Sequence, residues 1–77
     1  MVHAYVFITA EKAEERQVVA TIGEFPTVRA AHVITGNIDV VAFIEGPDLS
    51  AVWDTVSQIQ AVPGVTRTTT SLVVEAS

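Results

Sequence analysis

The sequence predicts an α+β, ferredoxin-like domain of order βαββαβ, and three observations predict it. Hydrophobic spacing changes period along the chain in the order strand, helix, strand, strand, helix, strand. The breakers Gly23 and Pro26, Gly46-Pro47-Asp48 and Pro63-Gly64 fall where the period changes. The second half also repeats the first at a shift of 37 residues, with Val19 falling on Val56, Ile22 on Ile59, Pro26 on Pro63 and Val28 on Val65. Each half therefore reads helix, then an apolar residue and Pro (Phe25-Pro26, Val62-Pro63), then a strand opening with Val. Two βαβ halves so related give a four-stranded antiparallel sheet with both helices on one face.

Residues 2–9 (VHAYVFIT) are rich in β-branched and aromatic side chains, the composition of a strand. From residue 11 to 22 the pattern turns helical. Val18, Val19 and Ile22 are its apolar positions, and Glu11, Glu14 and Glu15 sit at the end where the helix dipole favours acids. Gly23 is its expected stop, with Pro26 soon after. Residues 28–34 and 38–45 read as the second and third strands. Asp48 is a good N-cap for a helix over 49–61, whose apolar positions Leu49, Val52, Trp53, Val56 and Ile59 follow helical spacing. Pro63-Gly64 end it, and residues 65–75 make the last strand.

The strands carry a further message. On the first, Val2, Ala4, Val6 and Ile8 point one way and His3, Tyr5 and Phe7 the other. The third sets Ile38, Val40, Ala42 and Ile44 against Val41 and Phe43. A sheet with one solvated face should alternate apolar with polar, and these two strands are apolar on both faces. Two helices cover one face only, so Tyr5, Phe7, Val41 and Phe43, or their opposites, need another cover. The simplest is a symmetric sheet-to-sheet homodimer, an α+β barrel.

Size argues the same way. The chain makes a single domain, residues 1–77, and one this short buries only about 60% of its unfolded surface when it folds alone. It has no Cys, and no metal-ligand cluster is visible, so neither disulfides nor a metal staple it. With 49% hydrophobic residues and a mean hydropathy of +0.45, oligomerisation is the remaining route.

Charge excludes other classes. Nine acids against four basic residues give −5, and Lys12, Arg16, Arg29 and Arg67 are scattered. Direct nucleic-acid binding needs a basic stripe that this chain lacks. Anionic membrane surfaces are disfavoured for the same reason. No apolar run approaches the roughly 20 residues that span a bilayer. No signal peptide is evident, and the expected compartment is the cytoplasm.

The most chemical stretch is Thr35-Gly36-Asn37-Ile38-Asp39, between the second and third strands. Gly36 and Asn37 permit left-handed backbone, and Asp39 puts a carboxylate at the mouth of the next strand. Asp39 with Gly36 can receive an α-ammonium while free backbone N–H groups take an α-carboxylate. The plainer alternative is that Asp39 caps the turn and Gly36 supplies a positive φ. Thr66, Thr68, Thr69 and Thr70 offer hydroxyls to a ligand, or line a polar strip on the sheet. Thr68 and Thr70 share a face by the period of two. His3 and His32 are the only imidazoles; a packing role is expected for His3 on the interface face, and His32 lies in the second strand. Trp53 is expected to pack in the core or between helix and sheet.

Three pieces of this sequence carry a family likeness. Val33-Ile34-Thr35-Gly36-Asn37-Ile38-Asp39-Val40-Val41 is similar to a hydrophobic-x-T/S-G-x-x-D-hydrophobic stretch. Val62-Pro63-Gly64-Val65-Thr66-Arg67-Thr68-Thr69-Thr70 is similar to a (L/V)PGVxxTxT stretch, and Phe25-Pro26-Thr27-Val28 to an xPxV strand entry. In this order, over essentially its whole length, the chain resembles the ligand-binding (RAM) domain of the Lrp/AsnC, or feast/famine, transcription regulators. The resemblance implies a small-effector module, binding an amino acid, that forms dimers and rings of dimers with the effector between neighbouring dimers. It implies Gly36, Asn37, Asp39, Thr68 and Thr70 as ligand-binding residues, and Ser71, Leu72 and Val73 as positions that adjust effector response. Where this chain has Ile38 the family often has an aromatic residue. The family's N-terminal helix-turn-helix has no counterpart before the first strand, so a stand-alone module is expected. Hetero-assembly with full-length Lrp/AsnC regulators is its implied partnership, and no cofactor is called for.

Two other readings compete. One is a purely structural oligomeriser with a vestigial pocket. The other is a cofactor-free dimeric α+β-barrel enzyme, which would need a His, Asp or Tyr in a dry cleft. Tyr5 and His3 are the strand candidates and are not expected to share a cleft, so the expectation is no catalysis.

Overall fold

The computed structural model describes residues 1–75. Its elements run β1 (Val2–Ala10), α1 (Glu15–Ile22), β2 (Val28–Val33), β3 (Val40–Gly46), α2 (Leu49–Gln60) and β4 (Val65–Leu72). The four strands form one antiparallel sheet in the order β2-β3-β1-β4. This is the ferredoxin-like βαββαβ architecture the patterning predicts, with the two most apolar strands at the centre.

Period two decides which side of each strand the helices cover. Ala4, Val6 and Ile8 of β1 and Val40, Ala42 and Ile44 of β3 are fully buried, and Val28 of β2 nearly so. Val18 and Ile22 of α1, with Val52, Val56 and Ile59 of α2, close over them. An eight-residue helix is far below the length that is stable alone, so the burial of Val18 and Ile22 is what holds α1. Burying each such side chain contributes roughly 1.5–3 kcal/mol. The other sheet face carries no helix and shows Tyr5, Phe7, Val41 and Phe43. Tyr5 is 44% exposed and the other three are half-buried.

Several boundaries differ from the sequence-based expectation. Helix α1 starts at Glu15, not at residue 11. β1 runs on to Ala10, the Glu14 N–H closes a turn on the Glu11 carbonyl at 3.0 Å, and Ala13 takes φ +70°, which no helix allows. β3 starts at Val40 rather than residue 38, because Ile38 and Asp39 belong to the corner that precedes it. α2 ends at Gln60, one residue early. β4 ends at Leu72, so residues 73–75 lie beyond the regular strand. Asp48 caps α2 as expected, its Oδ1 accepting the Ala51 N–H at 2.8 Å. Trp53 departs from expectation. It is 46% exposed and Leu49 45%, because α2 turns Val52, Val56 and Ile59 to the sheet and leaves that pair outward.

Candidate functional site

The corner between β2 and β3 is built by a short loop. Val33 and Val40 are the last ladder partners, and beyond them the Ile34 N–H donates to the Asp39 carbonyl at 2.9 Å. Between these, Thr35, Gly36 and Asn37 are exposed, and Gly36 takes φ +114°. The backbone N–H groups of residues 35–38 have no acceptor among the described residues. Such groups are strong donors, and here they stand unspent at the surface.

Asp39 ties this corner to the neighbouring strand. Its N–H donates to the Ile8 carbonyl at 3.0 Å, and its Oδ2 accepts the Ala10 N–H at 2.8 Å. The carboxylate therefore caps the end of β1 rather than its own turn. That leaves Oδ1 without a protein partner among the described residues, on a half-buried side chain. The corner thus carries backbone donors and one carboxylate oxygen that have no partner among the described residues.

Thr68 and Thr70 lie elsewhere. Across the ladders Val40 faces Ile8 and Ile8 faces Thr68, while Thr70 faces Val6. Both threonines are half-buried on the helix-covered side of β4, two strand spacings from β3, or about 10 Å. The Thr68 hydroxyl accepts from Gln60 Nε2 at 3.0 Å. Gln60, Val65, Thr66, Arg67 and Thr68 line a shallow cleft of about 220 Å³ where α2 gives way to β4. Thr66 donates its hydroxyl to the Thr9 carbonyl at 2.9 Å. Within one chain, then, Gly36, Asn37 and Asp39 come together, and Thr68 and Thr70 stand apart from them across β1. Ser71 faces Tyr5 on the open sheet face, and Leu72 faces Ala4 and is 40% exposed. The Val73 N–H donates to the His3 carbonyl at 2.9 Å.

The open face holds a second polar group. His3 Nε2 donates to Glu45 Oε2 at 2.8 Å, and Arg29 Nε to Glu45 Oε1 at 3.1 Å. The hydrogen bond from His3, aided by the Arg29 charge and opposed by partial desolvation, holds the Glu45 carboxyl below its ordinary range. The His3 ring stacks on Phe43 with centroids 5.5 Å apart, and Tyr5 tilts against the same ring at 5.0 Å. His3 and Tyr5 are thus on one face, two residues apart, and they share an open surface rather than a cleft. Glu45, Arg29, Ala10 and Gln60 were not singled out by sequence reasoning. Glu45 alone had a signal, as the one charge on an otherwise apolar strand.

The fold is ferredoxin-like, with a polar corner between β2 and β3. The chain belongs to the Lrp/AsnC ligand binding domain family, whose model matches residues 3–77. A protein of Thermus thermophilus is similar to it at 32% identity and TM-score 0.94, over 100% of this chain and 98% of that one. The E. coli AsnC structure matches at 18% identity and TM-score 0.87, over 97% of this chain and 52% of its own. A Neisseria meningitidis transcriptional regulator, solved as its L-Met complex, matches at 22% and 0.82, over 96% and 50%. No curated protein matches the chain. Among the described residues no helix is long and apolar enough to cross a membrane.

Proposed function

We propose that this chain binds a small effector, an amino acid, at the Gly36–Asp39 corner, and that copies of it assemble through the open sheet face. The observation that carries the reading is the corner's unspent chemistry: the N–H groups of residues 35–38 for an α-carboxylate, and Asp39 Oδ1 for an α-ammonium. A charge-assisted bond of the latter kind is worth roughly 1.5–3 kcal/mol. Family membership supports the effector role, and the L-Met complex of the Neisseria meningitidis regulator supports an amino acid as its class.

The separation of the threonines fits this reading. One small zwitterion cannot touch both Asp39 and Thr68 across about 10 Å of sheet. Thr68 and Thr70 therefore act on an effector held at another copy's corner, with Ser71, Leu72 and Val73 setting how occupancy alters assembly. Apolar Tyr5, Phe7, Val41 and Phe43 are the surface that pairs two copies. The cytoplasm is the compartment that goes with this role. Mixed assembly with full-length Lrp/AsnC regulators is part of the same proposal, supported by membership of their ligand-binding-domain family. Co-elution with a helix-turn-helix homologue supports that step, and clean failure to mix sinks it.

A thermal-shift screen against the twenty amino acids tests the reading. Ligand at 100-fold its dissociation constant stabilises by about 2.7 kcal/mol. Each kcal/mol moves the midpoint of so small a domain by roughly 4–8 °C. The expected outcome is a clear hit that Asp39→Ala abolishes. A flat panel at millimolar concentrations favours the structural oligomeriser instead.

A further inference from the structure

The end of β1 is where hydrogen bonds from two distant parts of the chain converge. From the corner side, Asp39 donates its N–H to the Ile8 carbonyl at 3.0 Å and accepts the Ala10 N–H on Oδ2 at 2.8 Å. From the β4 side, the Glu11 N–H donates to the Gly64 carbonyl at 2.7 Å, and the Thr66 hydroxyl donates to the Thr9 carbonyl at 2.9 Å. The segment Thr9 to Glu11 is thus held from both sides. The β1–β4 register also shifts between Thr9 and Ala10, so the regular ladder is interrupted at this point. Side-chain bonds from Asp39 and Thr66 hold the segment where the ladder lapses. Just beyond it, Ala13 at φ +70° keeps the chain out of helix until Glu15.

We infer that Thr9, Ala10 and Glu11 form a strap that couples the Gly36–Asp39 corner to the start of β4 and the cleft beside Gln60. The two groups of bonds meet on one short backbone stretch, from the Ile8 carbonyl to the Glu11 N–H. Freeing one end therefore loosens the bonds at the other. Fixing the Asp39 carboxylate tightens the strap, and a cation on Oδ1 would do this while Oδ2 keeps the Ala10 N–H. The corner and the Thr66–Thr68 cleft lie on opposite sides of β1, and this strap is a short hydrogen-bonded route between them. Only the use an effector makes of the strap rests on the function proposed above; the coupling itself belongs to the chain without ligand.

Amide hydrogen exchange and chemical shifts of the full chain, read by NMR without ligand, test it. In Asp39→Ala the Ala10 and Glu11 amides should exchange about tenfold faster or more, and the resonances of residues 64–68 should move. Amides of β2 and α2 should keep their wild-type rates. The converse variant, Thr66→Val, removes the bond to the Thr9 carbonyl and should quicken Ala10 and shift the Asp39 amide, since coupling is reciprocal. It serves also if Asp39→Ala fails to fold. The strap is refuted if Asp39→Ala quickens Ala10 alone while Glu11 and residues 64–68 stay as they were. A uniform quickening that includes α2 refutes it too, because the loss is then global. None of these outcomes depends on an effector, so the strap and the amino-acid reading fail separately.

Discussion

His3 and Glu45 face each other across β1 and β3, and the ring Nε2 donates to the carboxylate at 2.8 Å while Arg29 holds the other oxygen. Glu45 is therefore held ionised to lower pH than an ordinary carboxyl, whose reference value is 4.5. A lowered native pKa contributes stability that is present above the unfolded value and is lost as pH falls through the native one. Acid unfolding of the wild type should steepen below about pH 4.5 through this group. Glu45→Gln removes that contribution, so its stability should fall less between neutral pH and about pH 3. Denaturant midpoints measured across that range check the slope, and parallel curves for the two proteins would refute the assignment.

Thr55 is the buried polar residue of the core, 3% exposed on α2. Its hydroxyl proton goes to the Ala51 carbonyl at 2.9 Å, so Thr27 must be the donor in the bond between the two threonine hydroxyls. The pair is therefore asymmetric. Thr55→Val strips Thr27 of its acceptor and should cost about 1–2 kcal/mol, whereas Thr27→Val leaves Thr55 bonded to Ala51 and should cost roughly 0.5–1 kcal/mol. The double variant should cost less than the sum, because the groups share one bond. Urea unfolding of the three variants checks the order.

The repeat at 37 residues explains why so much of the fold was legible. The Phe25 N–H donates to the Ile22 carbonyl at 3.1 Å and the Val62 N–H to that of Ile59 at 3.0 Å, and Val28 and Val65 close the following turns at 3.0 and 3.1 Å. Matching apolar and Pro positions produce matching backbone bonds, so both helix-to-strand joins could be read from residue types. The corner could be read in part: Gly36 does take positive φ, but the partner of Asp39 is Ala10, 29 residues away and set by strand register. The start of α1 was hidden because Ala13 adopts left-handed backbone, which no feature of an alanine announces. Trp53 misled because helical spacing alone cannot say which of two adjacent apolar stripes meets the sheet.

Gly64 and Gly36 both take positive φ, at +96° and +114°, yet their surroundings differ. Gly64 is the third residue of a turn after Pro63, closed by the Val65 N–H on the Val62 carbonyl, which is the type II pattern. A Cβ there would meet Glu14 Cβ and Val18 Cγ2 at 3.2 Å, while one at Gly36 meets nothing within 4 Å. Gly36→Ala should therefore cost only backbone strain, about 1–2 kcal/mol. Gly64→Ala adds crowding and should cost about 2–4 kcal/mol. Thermal midpoints should fall for both and clearly further for Gly64→Ala; equal falls would mean that the α1 contact yields freely.

Phe43 is the centre of the open face, with the rings of His3 and Tyr5 resting on it and Val41 two residues away on the same side. It takes no part in the core beneath, which consists of Ala42, Ile44 and their neighbours on the other side of the sheet. Replacing it with a charge should therefore spare the fold and spoil only what covers the face. A carboxylate forced under a partner without a counter-charge costs several kcal/mol, enough to reverse a micromolar association. Sedimentation equilibrium should give the wild type at least twice the 8.2 kDa chain mass, and Phe43→Glu a single chain with unchanged far-ultraviolet circular dichroism. A wild type that stays at one chain mass at high micromolar concentration would refute pairing through this face. So would a Phe43→Glu variant that keeps the wild-type mass.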